Sequence, residues 1–440
     1  MITLLNAHTG RALAQALDQP RRWRIRKVDS IRLMEGRVGR RRISVDVVPP
    51  PDPALAYDPR DRRRRTIEAV VGPVLIPLAM MNKQPLRNFD LALASGEALP
   101  LLPKAENAAA ATAAVLYEIG GSAAFRRPAL VKAVQAVVEG SPEEAKRISD
   151  ELLRVGTFNG ARVLFPHELS SLADALLQEL ATQFLLIALL PSQLAGTRCL
   201  VKYSFHWDCT FRVRGRLIPL LFAAGGLEPV ALEVDVPGAS GYDSYHLEVH
   251  VPAGLESRGL RLPAAPPSGD RRRGLAQAEP PVQDLEEGVV AHAVGRYSAD
   301  PDRPAELLLC PPKGGLRRTA SWITLFTALS FGIIGFLPGV QDRFLDNQGS
   351  GSALLLAAPA IVITFLNRSG ENSIASTLLA PLRSFVWLCV AAFSLAAAVV
   401  VTKPEDPFMS WFWSSGAIIA AGLGGFLLVG YIVSSTRDTR

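Results

Sequence analysis

Long uncharged stretches near the C-terminus are the clearest pattern of apolar and polar positions in this chain. Residues 319–341, 347–367, 384–402 and 407–436 contain no Asp, Glu, Lys, Arg or His. A helix of roughly 20 apolar residues crosses the hydrocarbon core of a bilayer, which is about 30 Å thick. The pattern therefore predicts an all-α transmembrane domain in residues 313–440. Its four helices are expected at about 319–341, 350–367, 384–402 and 411–434.

Basic residues at the helix ends predict on which side of the membrane the rest of the chain lies. Seven Lys and Arg flank one set of ends: Lys313, Arg317, Arg318, Arg368, Arg383, Arg437 and Arg440. The opposite set has only two, Arg343 and Lys403. Cytoplasmic segments next to membrane helices are enriched in Lys and Arg. We therefore predict a multi-pass protein of the cell (inner) membrane, with its N-terminus and C-terminus in the cytoplasm.

Small residues recur in these helices at spacings that let two helix backbones approach closely. They are Gly335, Gly339, Ala392, Ala396, Gly416, Ala420 and Gly424. Packing within one bundle is the simpler interpretation, and a homo-oligomer is the alternative. The lack of ionisable groups argues against a pump or coupled transporter, because ion and proton pathways use such groups. A pore formed by several protomers would have to be lined by hydroxyls: Ser321, Thr324, Thr327 and Ser330.

The first 312 residues mix two periodicities and predict an α+β cytoplasmic region. Alternating apolar residues, as in 23–28 and 43–48, predict a basic β-rich segment over residues 1–103. Short strands separated by turns predict an antiparallel β-sandwich-like domain over residues 193–312, close to the membrane. Within that domain, the Pro- and Arg-rich residues 263–284 are expected to form a disordered loop.

Residues 104–192 are expected to form a helical segment. An alanine-rich helix is predicted from Lys104 to Ile119, before Gly120 and Gly121. Ser141, followed by proline and two glutamates, has the pattern of a helix N-cap. Apolar residues from Leu169 to Ile187 fall on one helical face, so a third helix is predicted there, ending at Pro191 and filling the core.

Positive charge is concentrated at the N-terminus, which is rich in arginine. Up to Arg65 the chain has 16 Lys and Arg against 7 Asp and Glu, whereas the whole chain has 47 against 41. Such a segment could contact anionic lipid headgroups or other phosphates, and a solvated basic face is the simpler alternative. The candidate residues are Arg21, Arg22, Arg24, Arg40, Arg41, Arg42, Arg62, Arg63, Arg64 and Arg65.

Residue patterns typical of catalysis are missing. The chain has no phosphate-binding loop, dinucleotide fingerprint, nucleophile elbow or HExxH sequence. A zinc site formed by Cys199, His206 and Cys209 with His246 or Cys310 is a weak hypothesis, because the spacings match no compact zinc signature. We therefore predict no catalytic residues, metal ligands or cofactor, and favour a protein that is not an enzyme.

These patterns favour a non-enzymatic interaction or sensing module, anchored to the membrane by its C-terminal helices. Its expected partners are the lipid bilayer, anionic headgroups, an unidentified protein and a second copy of the chain. The alternative is an effector whose helices oligomerise into a pore when a ligand or partner binds. A membrane-tethered enzyme is the least favoured class.

Overall fold

A computed structural model describes most of the chain. The described residues are 4–34, 38–51, 72–165, 167, 169–208, 217–263, 282–285, 288–297, 303–337, 339–340, 342–343, 373–402 and 406–438. The predicted second membrane helix, residues 350–367, and most of the predicted loop 263–284 lie outside these ranges. All structural statements below refer to the described residues.

The fold combines helices and strands in the first 310 residues with long helices at the C-terminus. The helices are α1 (Ala7–Asp18), α2 (Lys104–Ala124), α3 (Pro128–Glu139), α4 (Pro142–Arg154), α5 (Ser171–Thr182), α6 (Leu217–Gly225), α7 (Gly315–Phe336), α8 (Ser373–Thr402) and α9 (Asp406–Asp438). The first strands are β1 (Arg24–Leu33), β2 (Val38–Val47), β3 (Val74–Asn82), β4 (Arg87–Leu93), β5 (Thr157–Phe158), β6 (Ala161–Arg162) and β7 (Gln183–Leu190). The remaining strands are β8 (Cys199–Asp208), β9 (Val230–Val234), β10 (Ser244–His250), β11 (Glu256–Arg261), β12 (Val282–Leu285), β13 (Gly288–Gly295) and β14 (Ala305–Cys310).

A seven-stranded sheet joins regions that are far apart in sequence. Its order is β12-β13-β10-β1-β2-β8-β4, and β1 pairs with β10 in parallel while the other pairs are antiparallel. Strands β1, β2 and β4 of the N-terminal segment therefore share one mixed sheet with β8, β10, β12 and β13. The expected antiparallel sandwich confined to residues 193–312 is not what the structure has, because β1 lies between β10 and β2. Residues 282–284, at the end of the predicted disordered loop, belong to β12, which pairs antiparallel with β13.

Two hydrophobic clusters lie on the buried side of this sheet. The first packs α1 to α5 and the β3–β7 pair against β2, β4 and β8. The second packs the three-stranded sheet β11-β14-β9 against β1, β10 and β13. The second cluster also contains residues of α8 and α9, so the soluble region and the membrane helices share one core.

The third helix of the middle segment is shorter than predicted. Helix α5 ends at Thr182, and the apolar run that follows it is strand β7, paired antiparallel with β3. The expectation that residues 184–190 are helical is therefore wrong. Residues 185–190 are buried throughout. A short, continuous apolar run fits a buried strand as well as a helix, and only the presence of β3 decides between them.

Local signals at other helix ends agree with the structure. Ser141 caps α4 by accepting a hydrogen bond from the Glu144 amide, as its sequence pattern predicts. In α2 the backbone leaves helical geometry at Gly120 and Gly121, where the helix was expected to end. Helix α1 was not predicted, although Asn6 accepts hydrogen bonds from two amides of its first turn.

Three described helices are long and apolar enough to cross a membrane: α7, α8 and residues 408–433 of α9. Helix α7 covers Gly315–Phe336, where residues 319–341 were predicted, and α9 includes the predicted range 411–434. Helix α8 begins at Ser373, well before the predicted start at residue 384. Its additional turns pack against the soluble region, because Ile374, Leu378 and Leu382 belong to the second cluster.

Candidate anion-binding face and its junction with the membrane helices

The seven-stranded sheet has one buried face and one open face. Along β1 and β2 the odd-numbered residues from Lys27 to Leu33 and from Gly39 to Val47 are buried, whereas most even-numbered residues are partly or fully exposed. This alternation is the two-residue repeat of a strand with one face on a core. The open face therefore presents the polar half of each strand's sequence.

A row of basic side chains crosses the open face on five neighbouring strands. We call it the arginine row, and its members in spatial order are His250, Arg32, Arg40, His206 and Arg87. Each is the direct strand partner of the next, and Arg32 and Arg40 form a directly opposed pair of like charges. The three arginines are exposed and the two histidines are half-buried. Like charges in directly opposed strand positions destabilise a sheet.

Acidic residues lie further along the same strands and are partly matched by basic partners. Glu248 and Asp90 fall on the next line of residues, which also contains Arg42. Asp46 accepts hydrogen bonds from the Arg198 guanidinium, with Nε 2.9 Å from Oδ1. The hydrogen bond from Arg198, together with its charge, lowers the pKa of Asp46 against the opposing effect of burial. Basic residues elsewhere on the open face, such as Arg42 and Lys202, lie among these acidic residues, whereas the arginine row contains no acidic residue.

The arginine row lies at the end of the sheet that meets the membrane helices. Strands β1 and β10 are parallel, so their carboxyl ends lie together. Just beyond the end of β10, the Cβ position of Gly254 lies 3.9 Å from Leu379 Cδ1 of α8. The second hydrophobic cluster contains residues of α8 from Ile374 to Val386. Trp207, next to His206 on β8, packs against this cluster together with two leucines of α6.

Helix α6 joins the sheet to the membrane helices through positions that require glycine. A side chain at Gly430 of α9 would overlap the carbonyl of Gly225, which ends α6. One at Gly226 would overlap the Arg317 guanidinium, and Gly226 has a positive φ of 73°. Arg317, at the start of α7, is only 1 % exposed. This junction was not predicted, because neither Gly225 nor Gly226 belongs to a recognisable packing pattern.

Arg41, a predicted anion contact, is instead part of a buried ion pair. Its Nε donates to Asp29 at 2.8 Å, its Nη2 contacts the other carboxylate oxygen, and Nη2 also donates to the Asp235 carbonyl at 3.0 Å. The Tyr245 hydroxyl donates to the same carboxylate at 3.0 Å. Burial opposes ionisation of Asp29, but the charges of Arg41 and Lys27 hold the pKa of Asp29 below its usual range. The prediction for Arg41 is therefore wrong, because its side chain faces the core.

The other predicted arginines lie in different places. Arg40 belongs to the arginine row and Arg42 lies beside it on the open face. Arg21, Arg22 and Arg24 lie at the opposite end, before or at the start of β1. Arg21 donates to the Ser240 carbonyl at 2.9 Å, and Arg24 donates to the Pro77 carbonyl at 2.6 Å. Residues Arg62, Arg63, Arg64 and Arg65 lie outside the described residues.

The sequence hypothesis of a zinc site does not fit the strands. Cys199 and His206 lie seven residues apart on β8, which corresponds to about 23 Å in an extended chain. Cys209 lies outside the described residues, and Cys199, Cys310 and Cys389 are free thiols. Within the described ranges, no group of three or more His, Cys, Asp or Glu could hold a metal ion.

Two histidines meet on the open face, which the sequence did not indicate. His246 Nδ1 and His292 Nε2 lie 3.3 Å apart, on β10 and β13. Burial lowers the pKa of His246, and the nearby His292 and Arg26 lower it further. His250, which shares the face of β10 with His246, instead contacts the Ser30 hydroxyl at 3.4 Å.

Most of the small residues predicted for helix packing lie at contacts between helices. Gly335 and Gly416 approach Trp413 and Phe331, and Gly424 approaches Thr324. Ala396 and Ala420 are buried, and Ala392 packs against the aromatic cluster around Phe331. Gly339 lies beyond the end of α7 with a positive φ of 73°, so it is not part of a helix face.

Three of the four hydroxyls considered as a pore lining donate hydrogen bonds within α7. Thr324 and Thr327 are buried and donate to the carbonyls of Ala320 and Ile323. Ser321 donates to the Arg317 carbonyl at 2.9 Å. In the described structure these three hydroxyls therefore bond to carbonyls of their own helix.

No known protein family matches this chain, and no curated protein sequence is significantly similar to it.

Proposed function

We propose that this protein is a membrane-anchored, non-enzymatic sensing module whose arginine row binds anionic lipid headgroups. The observation that carries the proposal is the hydrophobic cluster shared by the sheet, α8 and α9. Because this cluster turns the arginine-row end of the sheet toward the helices, the row faces the surface of the membrane in which they are anchored.

The charge of the row supports anionic lipid as its ligand. Arg32 and Arg40 oppose each other directly across β1 and β2, and both are exposed. A phosphate between them would offset their mutual repulsion, and an exposed basic residue near an anionic surface contributes about 1 kcal/mol. Anionic lipid is enriched in the cytoplasmic leaflet, so we infer that the soluble region lies in the cytoplasm.

The helix directions support an even number of membrane crossings. The first residues of α7 and α8 both pack near the soluble region, while Phe331, Phe393 and Trp413 meet at the other end of the bundle. Helix α9 returns, because Gly430 contacts α6. Since α7 and α8 both lead away from the sheet, the helix predicted at residues 350–367 would provide the return crossing between them. We infer that both termini are cytoplasmic.

Sensing requires that the row and the helices move together. Helix α6 follows β8, whose residue His206 belongs to the row, and α6 packs against Phe426 and Gly430 of α9. Glycine at Gly225 and Gly430 lets the backbones of α6 and α9 approach closely, and glycine at Gly226 leaves room for the Arg317 guanidinium. A shift of the sheet on binding a headgroup would thus be transmitted to α9 and to Arg317 of α7 through these contacts.

Hydrogen exchange of the full chain in nanodiscs tests the headgroup contact. We compare zwitterionic phosphatidylcholine discs with discs that contain about one third phosphatidylglycerol. Anionic lipid is expected to protect amides at the arginine-row end of β1 and β2. The double substitution Arg32→Gln with Arg40→Gln should remove this additional protection, which corresponds to about 2 kcal/mol, or roughly thirtyfold in exchange rate.

A matched control changes the same charge at the other end of the sheet. Arg22 and Arg26 are also exposed, so Arg22→Gln with Arg26→Gln should leave the lipid-dependent protection unchanged. Equal protection in both kinds of disc, or equal loss in both double variants, would contradict the proposal.

A further inference from the structure

A cavity of about 890 Å³ lies beside the connection between β3 and β4. Its volume is within the range of pockets that bind small molecules. Lys83, which lines the cavity, precedes Arg87 of the arginine row by four residues in the sequence. No residue of the arginine row or of the junction between α6 and the membrane helices lines the cavity.

The lining is mainly apolar and carries more positive than negative charge. Its apolar part includes Leu101, Leu102, Ala108, Ala111, Phe184 and Leu186. Its charged residues are Lys83, Lys104 and Glu139. A ligand complementary to this lining has an apolar body and one anionic group.

Lys83 is fixed at the cavity by the end of α3. Its Nζ donates to the carbonyls of Val137 at 2.7 Å and Gly140 at 3.0 Å, which leaves the third N–H of the ammonium group for another acceptor. Burial lowers the pKa of Lys83 to about 8. A carboxylate next to this group would stabilise its charged form.

The beginning of α2 provides further donors on the same cavity. Pro103 precedes the helix and makes no side-chain cap, and Lys104 and Ala105 of the first turn line the cavity. Amide groups in the first turn of a helix have no partner within the helix and carry partial positive charge. They therefore add to the attraction that the two lysines exert on an anion.

We infer that this cavity binds an alkyl carboxylate, with its carboxylate between Lys83 and the first turn of α2. The alkyl chain packs against Leu101, Phe184 and Leu186. This site is separate from the arginine row and does not depend on lipid headgroup binding there. An amphiphile of this class reaches a membrane-anchored protein from the surrounding lipid as well as from water.

Competitive acetylation of the full chain in phosphatidylcholine nanodiscs tests the site, with octanoate as the probe. A short pulse of an acetylating reagent at pH 8 labels neutral amines, and peptide mass spectrometry compares Lys83 with the exposed Lys132. Raising the pKa of Lys83 by about one unit lowers its neutral fraction at pH 8 roughly fivefold. Saturating octanoate is therefore expected to slow the acetylation of Lys83 about fivefold relative to Lys132, and octanol is expected to slow it less.

Two substitutions locate the effect. Ala105→Trp fills the cavity mouth and should abolish protection by octanoate, whereas Ala129→Trp, at an equally exposed position near the start of α3, should not. Lys104→Met, which removes an exposed charge without a change in packing, should weaken protection. The inference is overturned if octanoate fails to protect Lys83, if octanol protects it equally, or if Ala105→Trp and Lys104→Met both retain full protection.

Discussion

Arg40 and Arg41 are consecutive residues of β2, yet they lie in opposite environments. Arg41 faces the core, where it pairs with Asp29 and contacts the Asp235 carbonyl. Arg40 faces outward, directly opposite Arg32 and next to His206. On the buried face the charge of Arg41 is thus compensated by Asp29, whereas on the open face Arg32 and Arg40 lie directly opposite each other at one end of the sheet. The two faces of one strand therefore use the same residue type in two ways: Arg41 is paired within the core, and Arg40 belongs to the row that we propose binds an anionic headgroup.

The largest effect is expected on the buried face. Asp29→Asn removes the carboxylate that compensates Arg41 and leaves a buried guanidinium without its counter-charge. We expect a loss of about 3–5 kcal/mol in the free energy of unfolding. Chemical denaturation of the full chain in neutral detergent, followed by tryptophan fluorescence, measures this loss, since Trp23 and Trp207 both lie in or beside the sheet.

The corresponding substitution on the open face provides the control. Asp90→Asn changes an exposed carboxylate on β4 and should alter the free energy of unfolding by no more than about 0.5 kcal/mol. Equal effects of Asp29→Asn and Asp90→Asn would remove the proposed difference between the two faces.

An effect of opposite sign is expected from the arginine row. Arg40→Gln should stabilise the sheet by about 0.2–1 kcal/mol in the absence of anionic lipid, because it relieves repulsion from Arg32. Salt screens exposed charges, so this gain should shrink when ionic strength is raised from low to high. Denaturation curves at both salt concentrations test the sign, and a loss of stability at low salt would mean that Arg40 has a structural role.

The smallest effect is expected from the histidine pair. The pKa of His246 in the folded protein is below its usual value of 6.5, so between these two values the unfolded chain binds more protons. The free energy of unfolding should therefore fall as the pH is lowered from 6.5 toward the folded-state pKa. His292→Gln removes one cause of the shift and should reduce this pH dependence. An unchanged pH profile in the variant would show that the two imidazoles are not coupled.

Several features of the fold could be predicted from local sequence. The start of α2 at Lys104 and the cap at Ser141 follow from short-range patterns, as does the presence of short strands between residues 193 and 312. Strand β12 is an exception, because it lies where a disordered loop was expected. Strand β7 could not be predicted, since a buried apolar run has no periodicity that separates strand from helix. The pairing of β1 with β10 was equally out of reach, because more than 200 residues separate these strands in sequence.

The candidate site was only partly predictable for the same reason. The excess of arginine near the N-terminus led to the prediction of an anion contact, with a solvated basic face as the simpler alternative, and Arg40 belongs to the row proposed to make that contact. Sequence could not select Arg32, Arg87 and two histidines as its neighbours, since they come from strands that meet only in the sheet. Nor could it exclude Arg41, because the register of β2 decides which face each arginine takes.

The sequence by itself determined that this protein has apolar helices able to cross a membrane, and that its N-terminus is strongly basic. Both are properties of composition along a continuous stretch, which needs no partner to be recognised. Tertiary structure alone decided which arginines are buried and which share the open face. It also decided that α8 and α9 continue the core of the soluble region. The physical reason is that burial, like-charge contact and close backbone packing arise between segments that the fold brings together.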